Sequence, residues 1–352
     1  MRNHLHKRLQ NVPEHIWALI NGIDFLKGQW IGGALLNPQA LGRLKRSTLI
    51  TSTGASTRIE GAKLSDEDVE KLMRGLSMQK FTDRDKQEVK GYYELLENVL
   101  NSWKHIPLSE STIKLFHREL LKYVKKDELH RGEYKKKENK VIMVDGTGNP
   151  IGTLFDTTPA YLTPKEMQEL VEWTREELAV GKIHSLLIIG NFLVEFLNIH
   201  PFEDGNGRLS RVVTNLLLLH AGYVYVPYVS HEKLIEDNKV EYYVALRRSQ
   251  RTLKGDNETI EPWLAFFLNV LLTQSKAAID LLSKENVERL LSPKQLAVWE
   301  HLQKIGMATP GEIAHATHTA RPTVSQALDA LMRLKKVERI GRGRTTRYRK
   351  II

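Results

Sequence analysis

Residues 200–211 read His200-Pro201-Phe202-Glu203-Asp204-Gly205-Asn206-Gly207-Arg208-Leu209-Ser210-Arg211, and no other stretch says as much about the fold. The apolar runs on either side, residues 184–199 and 212–219, are typical of buried helices. The sequence therefore predicts a helix, a loop and a second helix. Glycines flanking an asparagine indicate the turn, and the second helix is expected to begin at about Arg208.

The polar residues of this stretch suit a nucleotide triphosphate. A helix N-terminus after a glycine-rich turn attracts anions, and Arg208 and Arg211 share one face of its first turn. Asp204 offers the hard oxygen that phosphate-bound Mg²⁺ prefers. His200 is an available general base near neutral pH. Each residue alone is an ordinary cap, turn or solvated charge, whereas the combination favours a polyphosphate site.

The stretch resembles the signature of the Fic family, HPFxDGNGRxxR, with all nine fixed positions filled. The resemblance implies a helical, Mg²⁺-dependent enzyme that transfers AMP from ATP to a Ser, Thr or Tyr hydroxyl of a target protein or of itself. By position, His200 would deprotonate that hydroxyl and Asp204 would hold the metal ion. The residues implied to bind ATP are Asp204, Gly205, Asn206, Gly207, Arg208, Arg211 and Tyr243.

Two further stretches match the family. Ser56-Thr57-Arg58-Ile59-Glu60-Gly61 resembles its inhibitory motif, (S/T)xxxE(G/N), which implies that a helix carrying Glu60 pairs with Arg211 and occupies the γ-phosphate site. From the residues alone, this pattern is also an ordinary helix end capped by Gly61. Residues 140–155, KVIMVDGTGNPIGTLF, predict a β-hairpin. It lies where the family has the flap that aligns a target segment.

The positive charge is concentrated near the C-terminus. Residues 291–352 hold twelve Lys and Arg against four Asp and Glu, which is +8 of the chain's +10. Helices at 292–305, 310–316 and 321–334, followed by two strands, resemble a winged helix-turn-helix. This positive charge favours duplex DNA, and not another protein, as the binding partner of residues 290–352. The residues expected to contact it are Arg321, Thr323, Ser325, Gln326, Arg342, Arg344, Arg347 and Arg349.

The remaining sequence indicates the domain limits and the compartment. We expect a mostly α protein with an N-terminal helical region carrying the inhibitory helix (1–99), a Fic catalytic core with its β-hairpin flap (100–285) and a C-terminal winged helix-turn-helix (290–352). The chain has no cysteine, and its first ten residues are basic and polar. A cytoplasmic location without a membrane partner is therefore expected. A homodimer is suggested by the family alone.

Other functions stay open beside adenylyl transfer. Glu60 could orient a water for the reverse reaction, which would make the protein a de-adenylylating hydrolase. The protein could also be a DNA-binding regulator whose Fic domain senses ATP. Phosphate transfer is disfavoured by Gly207, because the phosphate-transferring branch of the family tends to have lysine there.

Overall fold

The structure is a computed structural model that describes residues 2–33, 38–75, 83–144, 150–290, 292–333, 336–341, 343 and 346–351. Over these residues the chain forms fifteen α-helices and five β-strands, so the expected mostly α fold is confirmed. The chain divides into two compact units, one ending at Ala278 and the other beginning at Ile279.

The first unit is a helical assembly with one β-hairpin. Its elements are α1 (Arg2–Lys7), α2 (Glu14–Gly33), α3 (Pro38–Ile59), α4 (Asp66–Met73), α5 (Asp83–Ser102), α6 (Glu110–Leu120), β1 (Lys140–Val144), β2 (Pro150–Asp156), α7 (Thr163–Val180), α8 (Ser185–Ile199), α9 (Asn206–His220), α10 (His231–Asp237), α11 (Lys239–Gln250) and the first part of α12 (Glu261–Leu290).

Helices α8 and α9 form the centre of this unit. All but two residues of each helix are buried. Helix α8 is apolar on nearly every side and must be surrounded by other helices, whereas α9 also buries polar residues such as Arg208, Arg211 and Asn215. The α12 helix approaches α8 closely at Gly190, whose carbonyl accepts a 2.8 Å hydrogen bond from the indole of Trp263. The segment that joins α8 to α9 therefore starts and ends on rigid elements.

One buried charged side chain in this core, that of Arg8, has several partners. Arg8, just after α1, has its guanidinium group buried and donates to Asn191 at 3.1 Å, Glu195 at 2.9 Å and Glu258 at 2.7 Å. A buried charge without such partners would be strongly destabilising. The Arg8 cluster therefore ties the N-terminal segment to the middle of α8.

By length and composition, one described helix could cross a bilayer. It is the Glu261–Leu282 part of α12, with a mean hydropathy of 1.3. Leu264, Leu268 and Leu271 from this part are buried in the core of the first unit. That placement is typical of the central helix of a helical domain, and the absence of a membrane partner stays a prediction.

The expected hairpin is present. Strands β1 and β2 pair antiparallel, from Lys140 opposite Asp156 to Val144 opposite Pro150, with two irregularities of register. The turn at residues 145–149 lies outside the described residues.

Beyond the last part of α12, the described residues of the second unit form three helices and a small antiparallel sheet. Its elements are α13 (Pro293–Ile305), β3 (Met307–Ala308), α14 (Pro310–Ala316), α15 (Arg321–Arg333), β4 (Val337–Ile340) and β5 (Arg347–Lys350), with strand order β3-β5-β4. Strand β3 was not expected from the sequence, since it has only two residues. Arg342 and Arg344 lie outside the described residues.

The close packing of α5 against α6 can be tested by substituting a glycine. A Cβ at Gly91 in α5 would lie 2.1 Å from the backbone oxygen of Leu120, whereas a Cβ at Gly28 in α2 would meet nothing within 4 Å. We therefore expect Gly91→Ala to lower the free energy of unfolding by about 1–3 kcal/mol through overpacking.

The control is Gly28→Ala, which removes a helical glycine without a clash and should raise stability by roughly 0.5–1 kcal/mol. Urea unfolding followed by circular dichroism measures both changes. Equal effects of the two substitutions would contradict this account of the α5–α6 contact.

Candidate functional site

His200 terminates α8 in a left-handed conformation, with φ of 52°. Helix α9 then begins at Asn206, two residues earlier than the sequence suggested, because Gly205 adopts φ of 80° and turns the chain directly into the helix. The prediction of Arg208 as the helix start was therefore wrong. Gly207 lies in the first helical turn, where backbone N–H groups have no partner within the helix.

The loop between the two helices is fixed by Asn206. Its side-chain oxygen accepts from the N–H of Phe202 at 3.0 Å, and its amide donates to the carbonyl of Phe202 at 2.8 Å. Phe202 itself is fully buried. The side chain of Asn206 is thus used inside the loop, and what this residue offers a phosphate is its backbone N–H.

Arg211 and the segment Ser56–Gly61 are in direct contact. The Nη2 atom of Arg211 donates to Glu60 Oε1 at 2.7 Å and to the backbone oxygen of Ser56 at 2.9 Å, and Nε donates to the Ser56 hydroxyl at 2.7 Å. Glu60 lies one residue beyond the end of α3, and Gly61 follows with φ of 103°. The pairing expected between Glu60 and Arg211 is therefore present.

Glu60 is ionised in this contact. Burial would raise the pKa of its carboxyl, but the charge and hydrogen bond of Arg211, with a further contribution from Arg208, hold that pKa below its ordinary value. The side chain of Arg211 is only 3% exposed, whereas that of Glu60 is 32% exposed. A nucleotide phosphate approaching Arg211 would therefore meet the ionised carboxylate of Glu60.

Arg208 belongs to a separate ion cluster. It contacts Glu88 at 2.8 Å and Asp204 at 3.1 Å, and Arg84 bridges the same two carboxylates at 2.8 and 3.0 Å. Arg84 and Glu88 were not predicted from the sequence. Their spacing of four residues on α5 is the pattern of an ordinary solvated pair, so nothing in the sequence singled them out.

Asp204 has the chemistry required of a magnesium ligand. Burial opposes its ionisation, but Arg208, the N–H of Gly205 and Arg84 lower its pKa, so an ionised carboxylate lies beside the α9 N-terminus. Among the described residues no group of three or more His, Asp and Glu could hold a metal by itself. A Mg²⁺ ion here would need oxygens from the nucleotide.

His117 contacts the loop between α8 and α9 and stabilises it. Its ring stacks on Phe202 with 3.9 Å between ring centroids. Gly132 N–H donates to Nδ1 at 2.9 Å, so Nε2 carries the proton and donates to the Asp204 carbonyl at 3.0 Å. Burial lowers the pKa of this imidazole to about 4. These contacts give His117 a structural role.

Tyr242 and Tyr243 lie on the first turns of α11, with ring centroids 5.0 Å apart. Tyr242 is buried, and burial raises its pKa to about 12, although the neighbouring Arg211 opposes the shift. Burial also raises the pKa of Tyr243. Both rings are therefore neutral phenols near the Arg211–Glu60 pair, and contact of Tyr243 with adenine stays a prediction.

Comparisons with known proteins agree with the signature. The model of the Fic/DOC family matches residues 107–218. A Fido domain-containing protein of Dictyostelium discoideum is 31% identical over 103 residues, which cover 28% of this chain and 68% of that protein. A probable protein adenylyltransferase of Aquifex aeolicus is 28% identical over 154 residues, 42% of this chain and 47% of that protein.

The fold is shared with a solved structure over nearly its whole length. A Fic family protein from Desulfovibrio desulfuricans G20 superposes with a TM-score of 0.64 at 24% identity, covering 97% of this chain and 98% of that one. By sequence, in contrast, the match spans less than half the length of the Aquifex adenylyltransferase.

The environment of His200 predicts a pH response. Burial and, to a smaller extent, the Lys135 charge together lower the pKa of its imidazole to about 4, against the opposing effects of the Leu197 carbonyl, Glu60 and Asp204. In the nucleotide-free protein we therefore expect the imidazole to stay neutral down to about pH 5 and to protonate only at more acid pH.

Imidazole NMR of ¹³C-histidine-labelled protein, with His200→Asn used to assign the signal, measures this titration. Because the folded state holds the proton less well than the unfolded chain, His200 should contribute stability at neutral pH that is lost as pH falls from 6.5 toward 4. A midpoint near 6.5 would instead mean that the imidazole is hydrated.

Proposed function

The chain belongs to the Fic/DOC family, and on that premise we propose that it is a protein adenylyltransferase that transfers AMP from ATP to a Ser, Thr or Tyr hydroxyl. The observation that carries the proposal is the grouping of a neutral His200 with Asp204, Arg208 and Arg211 at the N-terminus of α9. A base, an ionised carboxylate and two guanidinium groups beside a helix N-terminus are the parts that nucleotidyl transfer requires.

The chemistry follows from these positions. The target hydroxyl would attack the α-phosphorus of ATP, the bond from that phosphorus to the bridging oxygen would break, and pyrophosphate would leave. His200, neutral near pH 7, would accept the hydroxyl proton. The N–H groups of the first α9 turn would bind phosphate oxygens, with Arg211 at the γ-phosphate.

Magnesium would enter with the nucleotide. Asp204 would hold the ion, which would neutralise part of the phosphate charge. Since the two carboxylate oxygens of Asp204 are engaged by Gly205, Arg84 and Arg208, metal binding should loosen the Arg84 contact first, because the Arg84 side chain is 49% exposed against 2% for Arg208.

The contact between Glu60 and Arg211 supports a restrained state of the enzyme. Glu60 occupies the Arg211 position that a γ-phosphate would take. The α3 helix is held independently by Arg58, whose guanidinium pairs with Glu236 and contacts Asp66 at 2.9 Å. Restraint would therefore be relieved when the Glu60 side chain turns away, without α3 leaving the core.

Removing Glu60 is expected to activate the protein. With ATP labelled at the α-phosphate, Glu60→Gly should raise protein-bound label by about 5- to 150-fold, the usual range for one coupled contact. Glu60→Gly/His200→Ala should abolish the label, because the base is missing. Glu67→Gly, on the exposed side of α4, is the matched control and should leave the label unchanged.

The same assay separates the alternatives. Label from the γ-phosphate would indicate phosphate transfer. An unlabelled Glu60→Gly variant, combined with removal of AMP from a pre-adenylylated substrate by wild type, would favour the hydrolase and contradict the proposed direction.

A second candidate function, DNA binding, is favoured by the surface of the second unit. Arg321, Ser325 and Gln326 are exposed on α15, opposite its buried Val324 and Leu328. Arg347 is exposed on β5, whereas Arg349 is paired with Glu338 at 2.6 Å. Exposed arginines and polar side chains at the start of a helix are typical of a winged helix-turn-helix that reads the major groove.

DNA binding can be tested with the full chain. Affinity for duplex DNA should fall as salt rises, and Arg321→Ala should lower affinity and reduce the log–log salt slope by about one. Arg333→Ala removes an equal charge from the other end of α15 and should have little effect. A flat salt response in wild type would exclude the phosphate contacts on which this function depends.

A further inference from the structure

A buried ammonium group lies beneath the turn that carries His200. Lys135 is 3% exposed, and its Nζ donates to the Thr157 hydroxyl at 2.7 Å, the Asn139 side-chain oxygen at 2.8 Å and the Ile199 carbonyl at 3.0 Å. Three neutral oxygens thus take its three protons. In the described part of the chain no carboxylate lies within ion-pair distance of it.

Lys135 and Asn139 together donate hydrogen bonds to the four successive backbone carbonyls of residues 199–202. Lys135 binds Ile199 through Nζ and Pro201 through its backbone N–H at 2.9 Å. Asn139 donates its amide to Phe202 at 3.0 Å and to His200 at 3.4 Å. Every backbone oxygen from residue 199 to 202 is therefore held by Lys135 or Asn139, just where the chain adopts the left-handed turn.

The same contacts hold both ends of the hairpin. Asn139 immediately precedes β1 and Thr157 immediately follows β2. The Thr157 hydroxyl also donates to the Asn139 backbone oxygen at 2.9 Å. One ammonium group therefore joins the two ends of the hairpin to the turn that carries the histidine.

We propose that Lys135 is a positioning residue: with Asn139 and Thr157 it couples the hairpin β1–β2 to the orientation of His200. The proposal rests on the proposed function in taking His200 as the base. A buried cation without a carboxylate partner is unfavourable, and burial lowers the pKa of Lys135 to about 8 against the opposing effects of Glu138 and Glu166. A segment pairing with the hairpin would thereby influence the placement of the base.

The test compares Lys135→Met with Lys136→Met, a substitution at the adjacent exposed lysine. Both are made in the Glu60→Gly background, and kcat and KM for ATP are measured. Lys135→Met should lower kcat by about 10- to 100-fold, because a misplaced base loses near-attack geometry, with KM for ATP changed by less than about twofold. Lys135→Arg, which keeps charge and donors, should restore part of kcat.

A second variant keeps the proposal open to refutation if Lys135→Met folds poorly, and a second measurement applies if it folds. Thr157→Val removes only a hydroxyl at the β2 end of the hairpin and should lower kcat by roughly 3- to 10-fold in a protein that still unfolds cooperatively. The imidazole signal of His200 in nucleotide-free Lys135→Met should shift and titrate at higher pH, because a nearby positive charge is gone.

Values of kcat for Lys135→Met and Thr157→Val within about twofold of the Lys136→Met control, with an unshifted His200 signal, would overturn the proposal. If the Glu60→Gly parent shows no adenylylation at all, the proposed function is wrong. In that case the His200 signal alone decides whether Lys135 positions the turn.

Discussion

A guanidinium group with a 3% exposed side chain must find acceptors inside the protein, and the way Arg211 finds them organises the site. Ser56 supplies two oxygens and Glu60 a third, so the end of α3 is held against the second turn of α9. The same cation, released from Glu60, is the partner that a terminal phosphate requires. One charge therefore stabilises the docking of α3, and in the proposed function it would bind either Glu60 or a terminal phosphate.

The turn between α8 and α9 carries a second constraint. His200 adopts a left-handed conformation, which is unfavourable for a residue with a Cβ. It persists because its surroundings over-determine it: Lys135 and Asn139 hold the carbonyls, and Asn206 holds Phe202 from the other side. Such local strain is common where a side chain must be presented in one orientation. Here that side chain is an imidazole kept neutral by burial.

Much of this arrangement was readable from the sequence, because residues that act together are also adjacent in the chain between residues 200 and 211. The Glu60–Arg211 pair was reached through a second motif. What could not be read depends on tertiary contacts between distant residues: Glu88 with Arg208, and Lys135 beneath the turn. In the sequence, Glu88 and Lys135 are indistinguishable from charged residues exposed to solvent. The sequence around a charged residue in a helix or a loop does not indicate whether its side chain is buried. The sequence predicted the start of α9 two residues too late, because the left-handed Gly205 is followed directly by the helix.

The central claim is that Glu60 withholds Arg211 from the γ-phosphate. Calorimetric affinities of ATP and ADP, measured with Mg²⁺ for wild type and Glu60→Ala, test it most directly. The account predicts nearly equal affinities for the two nucleotides in wild type, since the extra phosphate finds Arg211 occupied. In Glu60→Ala, a preference for ATP of roughly tenfold or more should appear, as expected for a charge-assisted hydrogen bond. A strong ATP preference already present in wild type, unchanged by the substitution, would contradict it.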